Sequence, residues 1–428
     1  MLDINWIKDN QEMVRNTAKW KSVDFPLEKL LEWDEKRRTI RLETEEMRAE
    51  RNRLTKEVER LMRQGDHPAG EVVKEQVREI NRLLSTLETD LAEADRNWAE
   101  LMLLAPNPVS QDTPIGRDDN DNVELRKVGN VREFNFAARD HVELGELHNI
   151  LDIPRGVKAG GPRSYVLKGA GLYLHLAVQR LALDVLTARQ FTVMDVPVIV
   201  RPEALERTGF FPGGMDQTYE LSGDNRWLAG TSEVSLVSLY SDEIVELDIP
   251  LRLAGMSACF RREVGSAGRD VRGLYRVHQF SKIEQVILCR NNDGESEAML
   301  QEILANAEHI LELLELPYRV MAVCTGDMSL KTHKQYDIET WMPSRNAYGE
   351  THSASNLLDF QARRSNIRYR DENGQLQFCH TLNNTAVATP RILIPLLENH
   401  QLEDGSIYIP RALRKYMDGI DKLVLPQS

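Results

Sequence analysis

From Leu30 the positions Leu30, Trp33, Arg37, Ile40, Thr44, Met47, Arg51, Leu54, Val58 and Leu61 alternate at spacings of three and four. That is the seam of a heptad helix, polar at Arg37, Thr44 and Arg51. The string QGDHPAG over 64–70 breaks the pattern with two glycines and a proline. A cleaner seam follows at Val73, Val77, Ile80, Leu84, Leu87, Leu91, Ala94, Trp98 and Leu101. Two seams joined by a short Gly/Pro turn predict an antiparallel coiled-coil hairpin. At 1.5 Å per residue each helix is about 50 Å long.

The Pro-rich stretch 105–116 (APNPVSQDTPIG) marks a boundary between a helical domain over 1–105 and a second domain over 106–428. Beyond it the periods change. A helix is predicted over 171–190, with others at 296–314 and 391–398. Strands are predicted at 191–200, broken by Pro197, and at 251–261, 274–280, 284–289, 318–323 and 336–341. Hairpin-linked strands with helices between them predict an α+β fold on an antiparallel sheet. Neither GxxxxGK[ST] nor a strand-linked GxGxxG occurs, so P-loop and Rossmann sites are unsupported.

Composition narrows this further. The 428 residues are 41% hydrophobic and 28% charged, as in a globular protein. No apolar run reaches membrane-spanning length, and the N-terminus lacks the basic and apolar blocks of a secretory signal. Four dispersed cysteines, with no CxxC pair, argue against a disulfide framework or zinc site and fit a reducing cytoplasm. A net charge of −13 argues against broad nucleic-acid binding but leaves room for a local RNA contact. The first seam helix offers the better surface, at Arg37, Arg41, Arg48 and Lys56. Charge runs of this kind are more often a solvated helix face.

The string CFRREVGSAGRDVRGLYRVHQFSKIE, 259–284, carries the most chemistry. An apolar strand ends in Arg261 and Glu263 on one face. A loop rich in glycine and charge follows, and a second strand returns through Phe280 to Glu284. Arginine suits phosphate because its planar fork makes two aligned, charge-assisted bonds. Phe280 can stack on a purine. For an isolated Arg-Xaa-Glu a surface hairpin laced with salt bridges is the better explanation, and the whole 26-residue string is far more specific.

The whole string resembles motif 2 of class II aminoacyl-tRNA synthetases in its seryl-tRNA synthetase form. The resemblance implies that Arg261 grips the α-phosphate of ATP and that Glu263 contacts the adenine amino group. It further implies stacking by Phe280, a backbone contact near Val277, and serine recognition by Glu284. WLAGTSEVSLVSLY resembles the family's TxE segment and places substrate contacts on Thr231, Ser232 and Glu233. A capping threonine at a helix start would also account for Thr231. YGETHSASNLLDF resembles the phosphate and metal segment, where Glu350 and Ser353 would hold Mg²⁺ and Thr351 and His352 lie beside the nucleotide. HTLNNTAVATPRILIP resembles motif 3. There Arg391 opens a helix and clamps the γ-phosphate, and Thr385 contacts serine. Arg262 joins the ATP set, and Arg261 is shared with the serine set. The stretch 171–197 resembles motif 1, which in this class forms a homodimer interface.

The implied protein is a cytoplasmic ligase that activates L-serine with ATP and Mg²⁺. It would then charge tRNA(Ser), and also tRNA(Sec), with the hairpin as the tRNA-binding arm. Departures from the family pattern cluster around the site. NNTAVATPR replaces a glycine-rich NGSGLAVGR, and Gly349, His352, Arg262 and Val264 replace the usual residues. They bear on fine geometry, rate and analogue tolerance, because the charged groups remain. Three other readings stay open: an inhibitor-resistant second-copy enzyme, a synthetase-like ligase acting on a carrier protein, and a non-catalytic RNA binder.

Overall fold

The computed structural model describes residues 1–265 and 272–426. Gly268, Arg269 and Asp270 of the glycine-rich loop therefore lie outside the described residues. Two units emerge. Residues 2–19 and 23–106 form a helical unit, and residues 1, 20–22 and 107 onward form the other.

In the helical unit, two short helices precede α1 (Leu27–Arg63) and α2 (His67–Leu103), each 37 residues long. Every residue of both seams is buried or half-buried, with Leu30, Ile40, Leu54, Leu84 and Ala94 fully so. The polar seam positions are each satisfied, Arg51 by the side-chain oxygen of Asn52 at 3.0 Å. The Thr44 hydroxyl donates to the Ile40 carbonyl at 2.7 Å. Arg37 lies 3.9 Å over the Trp98 ring and pairs with Asp34 and Asp95. Arg41 reaches Asp95 at 3.1 Å, and Arg48 reaches Glu88 at 2.7 Å. Exposed pairs of this kind contribute below about 1 kcal/mol each, so they align the helices more than they stabilise them. The breaker is shorter than the sequence suggested. Asp66 caps the Ala69 amide and Pro68 sits in the first turn, so the helix resumes at His67.

The second unit is built on an eight-stranded sheet. In chain order its strands are β1 (Val123–Val128), β2 (Thr192–Asp195), β3 (Leu251–Phe260), β4 (Gln279–Cys289), β5 (Tyr318–Ala322), β6 (Lys334–Met342), β7 (Ala347–Asn356) and β8 (His380–Thr389). They lie in the order β1-β5-β6-β7-β8-β4-β3-β2. All these ladders are antiparallel except β2 on β3. The helices named below are α3 (Ala170–Ala188), α4 (Glu233–Ser238), α5 (Asp293–Leu313) and α6 (Leu393–His400).

Three expectations need correction. The stretches 274–280 and 284–289 are not two strands, because one continuous strand runs over 279–289. β3 stops at Phe260, so Arg261 and Glu263 lie just past its end. The last helix starts at Leu393, so Arg391 precedes it rather than opening it. β7 and β8 escaped the apolar pattern because polar residues fill their cavity-facing positions.

Strand alternation divides the work between two faces. On one face Ile283, Ile287, Ile338 and Leu382 pack against Leu174, Val178, Leu300, Ile303, Leu304 and Leu396 of α3, α5 and α6. On the other, Phe280, Lys282 and Glu284 of β4, with Asn383 and Thr385 of β8, line a cavity.

A buried histidine closes α6. The ring nitrogen Nε2 of His400 lies 2.9 Å from the Leu314 carbonyl, and burial lowers its pKa below the usual histidine value. As pH falls through about 6.5, the unfolded chain takes up a proton here that the folded chain refuses. This group's contribution is therefore intact above that pH and is lost on acidification. The stability gap between the wild type and His400→Gln is expected to shrink from pH 7 to pH 5, read as the difference in melting temperature. A gap that stays constant or widens would refute it.

Candidate active site

One cavity of about 340 Å³ collects most of the residues singled out from the sequence. Thr231, Glu233, Arg261, Glu263, Val277, Phe280, Glu284, Glu350, Thr351, Ser353, Thr385 and Arg391 all line it.

Two bulges explain how neighbouring positions reach the same wall. Thr351, Ser353 and Ser355 alternate onto the cavity face of β7, and the register shift between Glu350 and His352 turns Glu350 to that side as well. A second shift, between Thr385 and Val387, changes the phase of β8, so that Asn383, Thr385 and Ala388 all face the cavity. Bulges of this kind re-aim side chains beside active sites.

At the cationic end, Arg261 stands past β3 with its guanidinium 5.2 Å from the centre of the Phe280 ring. Its backbone is pinned on both sides by His278. The Arg261 amide donates to the His278 carbonyl at 3.0 Å, and the ring nitrogen Nδ1 of His278 lies 3.0 Å from the Arg261 carbonyl. Glu263 adopts a left-handed φ of 54° and pairs with Arg276 at 2.7 Å. Arg391 donates through Nε to the Tyr275 carbonyl at 3.0 Å and through Nη1 to the Glu350 carbonyl at 3.1 Å. Its guanidinium lies 4.4 Å over the Tyr275 ring. Backbone carbonyls and an aromatic face thus aim two arginines into one cavity.

The other end holds a denser set of buried charges. Lys282 and Glu284 pair at 2.5 Å. Lys331 Nζ donates to Glu233 Oε1 at 2.6 Å, and Gln361 donates to the same oxygen at 2.7 Å. The Thr231 hydroxyl accepts from the Glu233 amide at 3.2 Å, so Thr231 serves the start of α4 and lines the cavity as well. Burial pushes the Glu284 carboxyl up and the Lys331 ammonium down from their ordinary values. Both shifts follow from removing charge from water.

Glu350, Ser353 and Gln335 present hard oxygens in the same cavity as Arg261 and Arg391. The Ser353 hydroxyl accepts from Gln335, which also donates to Asp337. Burial, and then the Glu350 charge, raise Asp337. Among the described residues, no three His, Cys, Asp or Glu side chains cluster at metal distance. So small an oxygen set fits Mg²⁺ shared with phosphate oxygens and water, not an all-protein cage.

Three expected residues do not reach the cavity wall. The Ser232 hydroxyl turns to the Gly255 carbonyl at 3.1 Å. His352 is buried between the Thr351 hydroxyl and the Ala386 carbonyl. Arg262 is exposed, its amide bound to the Gln217 carbonyl. The sequence reading also missed residues. Lys282 was within reach of it, because it falls between Phe280 and Glu284 in the two-residue period. Asn383 stands in the same relation to Thr385. Phe210 and Lys331 had no such signal, because they reach the site from irregular segments.

A largely antiparallel sheet presents to a single cavity one arginine just past a strand end and a second just before a helix, as expected of the class II aminoacyl-tRNA synthetases that the sequence resembles. Two family models match the chain: "Seryl-tRNA synthetase N-terminal domain" over residues 1–109 and "tRNA synthetase class II core domain (G, H, P, S and T)" over residues 218–400. A serine–tRNA ligase of Deinococcus radiodurans is 45% identical over 427 residues, covering 100% of both chains. The crystal structure of seryl-tRNA synthetase from Pyrococcus horikoshii complexed with ATP aligns with a TM-score of 0.90 at 35% identity, covering 100% of both. That of the cytoplasmic serine–tRNA ligase from Naegleria fowleri in complex with AMP gives 0.86 at 27% identity, covering 100% of this chain and 99% of that one. The chain belongs to the seryl-tRNA synthetase family.

Proposed function

We propose that this chain activates L-serine with ATP to seryl-adenylate and transfers the seryl group to the 3′ end of tRNA(Ser), and of tRNA(Sec). One observation carries the reading: Arg261 and Arg391 share a single cavity with Thr231, Glu233, Glu284 and Thr385. In the first step the serine carboxylate attacks the α-phosphorus and pyrophosphate leaves. Carboxylate is already a nucleophile, so no protein base is needed. Positioning and charge neutralisation do the work.

Arg261 would hold the α-phosphate and Arg391 the γ-phosphate. Phe280 would stack on the adenine, with Glu263 at its amino group and the Val277 backbone nearby. Thr231, Glu233, Glu284 and Thr385 would receive serine. Glu350 and Ser353 would hold Mg²⁺, which when bound supplies charge neutralisation on the phosphates. Thr351 lines this part of the wall, and its hydroxyl pairs with that of Thr340 at 2.7 Å.

In this reading residues 1–105 are the tRNA-binding arm and 106–428 the catalytic domain. The arm would meet RNA by shape and backbone contacts. Arg41 and Arg48 are exposed beside their acidic partners, Lys56 is exposed, and Arg37 is half-buried over the Trp98 ring. The complete hairpin favours tRNA over a carrier protein as acceptor. A homodimer through motif 1 is part of the proposal, supported by the exposed apolar side chains of Leu172, Tyr173 and Leu176 on α3. No helix among the described residues is long and apolar enough to cross a membrane, and we place the enzyme in the cytoplasm.

The test is serine-dependent exchange of pyrophosphate into ATP, followed by charging of tRNA(Ser). Absence of exchange with serine, or equal exchange with threonine or alanine, would overturn the proposal.

A further inference from the structure

Glu233 is one of two carboxylates that the proposed function turns toward serine, and a buried carboxylate suits the substrate ammonium; it already has an ammonium on it. Lys331 Nζ donates to Glu233 Oε1 at 2.6 Å and lies 3.7 Å from the centre of the Phe210 ring. The Lys331 side chain is 10% exposed, and the residue lines the cavity beside Thr231 and Glu284. This placement is built, not incidental. Asn107 donates to the Lys331 carbonyl at 2.9 Å. The Lys21 ammonium donates to the carbonyls of Ser329 and Leu330 on the same turn, each at 3.2 Å, and to that of Thr332. The turn that carries Lys331 is therefore held on both sides by buried polar side chains.

We propose that Lys331 sets the affinity for serine by competing with the substrate ammonium for Glu233. The inference rests on the proposed function and sharpens its serine pocket. Two ammonium groups on one carboxylate oxygen repel each other, and burial leaves little water to screen them. Serine therefore displaces Lys331 as it binds, and part of its own ammonium–carboxylate interaction is spent on that exchange. Two consequences follow. Serine binds more weakly than the pocket's charges alone would allow. Removing the ammonium from the ligand also costs less than it would in a pocket whose Glu233 stood open.

The first test compares KM for serine and for ATP, by pyrophosphate exchange, in the wild type and in Lys331→Met, which keeps the length of the side chain. The expected result is a serine KM at least about fivefold lower, with KM for ATP unchanged. An unchanged or higher serine KM overturns the proposal, as does an equal change in both constants. A lysine that only neutralised Glu233 for stability would leave the serine KM alone.

Because Lys331→Met leaves Glu233, among the described residues, with Gln361 as its remaining side-chain donor, a second measurement uses the unmodified protein. 3-Hydroxypropanoate, which is serine without its ammonium, is titrated as a competitor of serine. An open Glu233 would make the loss of the ammonium cost more than about tenfold, since hydrogen bonds to buried charge are strong. A ratio of inhibition constant to serine KM below about ten supports the proposal, and a larger ratio overturns it. If the wild type shows no serine-dependent exchange, the functional reading falls and this one falls with it. If exchange is present but Lys331→Met behaves as wild type, only the Lys331 proposal falls.

Discussion

Replacing Arg261 by alanine is expected to lower serine-dependent pyrophosphate exchange by about 10³-fold or more, on the order of 4 kcal/mol of transition-state stabilisation. Arg261 is exposed to the cavity, and its backbone is fixed by His278 on both sides. Its charge is therefore presented with little freedom to drift, which is the condition under which one cation matters most to a developing phosphate charge. The structural cost of the change is small by comparison. The variant loses the cation–π contact with Phe280, worth about 1 kcal/mol. Folding should survive, so the melting temperature should move by only a few degrees while exchange collapses. Arg261→Lys keeps the charge but loses the planar fork, and should fall between the two. Exchange in the alanine variant within tenfold of wild type would remove Arg261 from the reaction.

The second large effect separates the two steps. Deleting residues 35–95 and joining Asp34 to Arg96 through a short Gly-rich link should leave exchange within about twofold of wild type. Charging of tRNA(Ser) should fall by about 10²-fold or more, the equivalent of roughly 3 kcal/mol of lost binding. The cut is feasible because the two helices run side by side at that level. Arg37 pairs with Asp95 across the hairpin at 2.9 Å. The retained stump keeps buried Leu30 and Met102 and the ion pair between Lys8 and Asp34. Exchange needs serine, ATP and the cavity, and every residue lining that cavity lies beyond position 200. Intact charging after the deletion would show that the hairpin is not the tRNA arm. Loss of both activities would instead point to a damaged fold, which the melting curve of the variant would reveal.

How much of this was legible beforehand depends on the distance over which each signal acts. The hairpin was readable residue by residue, because a heptad seam repeats one requirement every three or four positions. Even its polar members made sense once Trp98 and Asp95 stood opposite Arg37. The 259–284 string was readable for a related reason, since its chemistry is written in consecutive residues. The three expected residues that do not reach the cavity wall share a cause. Ser232, His352 and Arg262 adjoin cavity residues in the chain but point elsewhere, to Gly255, to Ala386 and out to solvent. Adjacency in sequence does not tell which face of a strand or turn a side chain takes, and the bulges in β7 and β8 change that face midway.

By itself, then, the sequence determined the coiled-coil hairpin, the antiparallel α+β character of the body and most of the charged groups that line the cavity. All of these arise from local periodicity or from short contiguous strings. Only the tertiary structure decided the strand order, the bulges that gather Glu350 with Ser353 and Thr385 with Ala388, and the pairing of Lys331 with Glu233. That last pair spans 98 positions of chain. No local pattern encodes it, because it exists only where the turn held by Lys21 and Asn107 meets the start of α4.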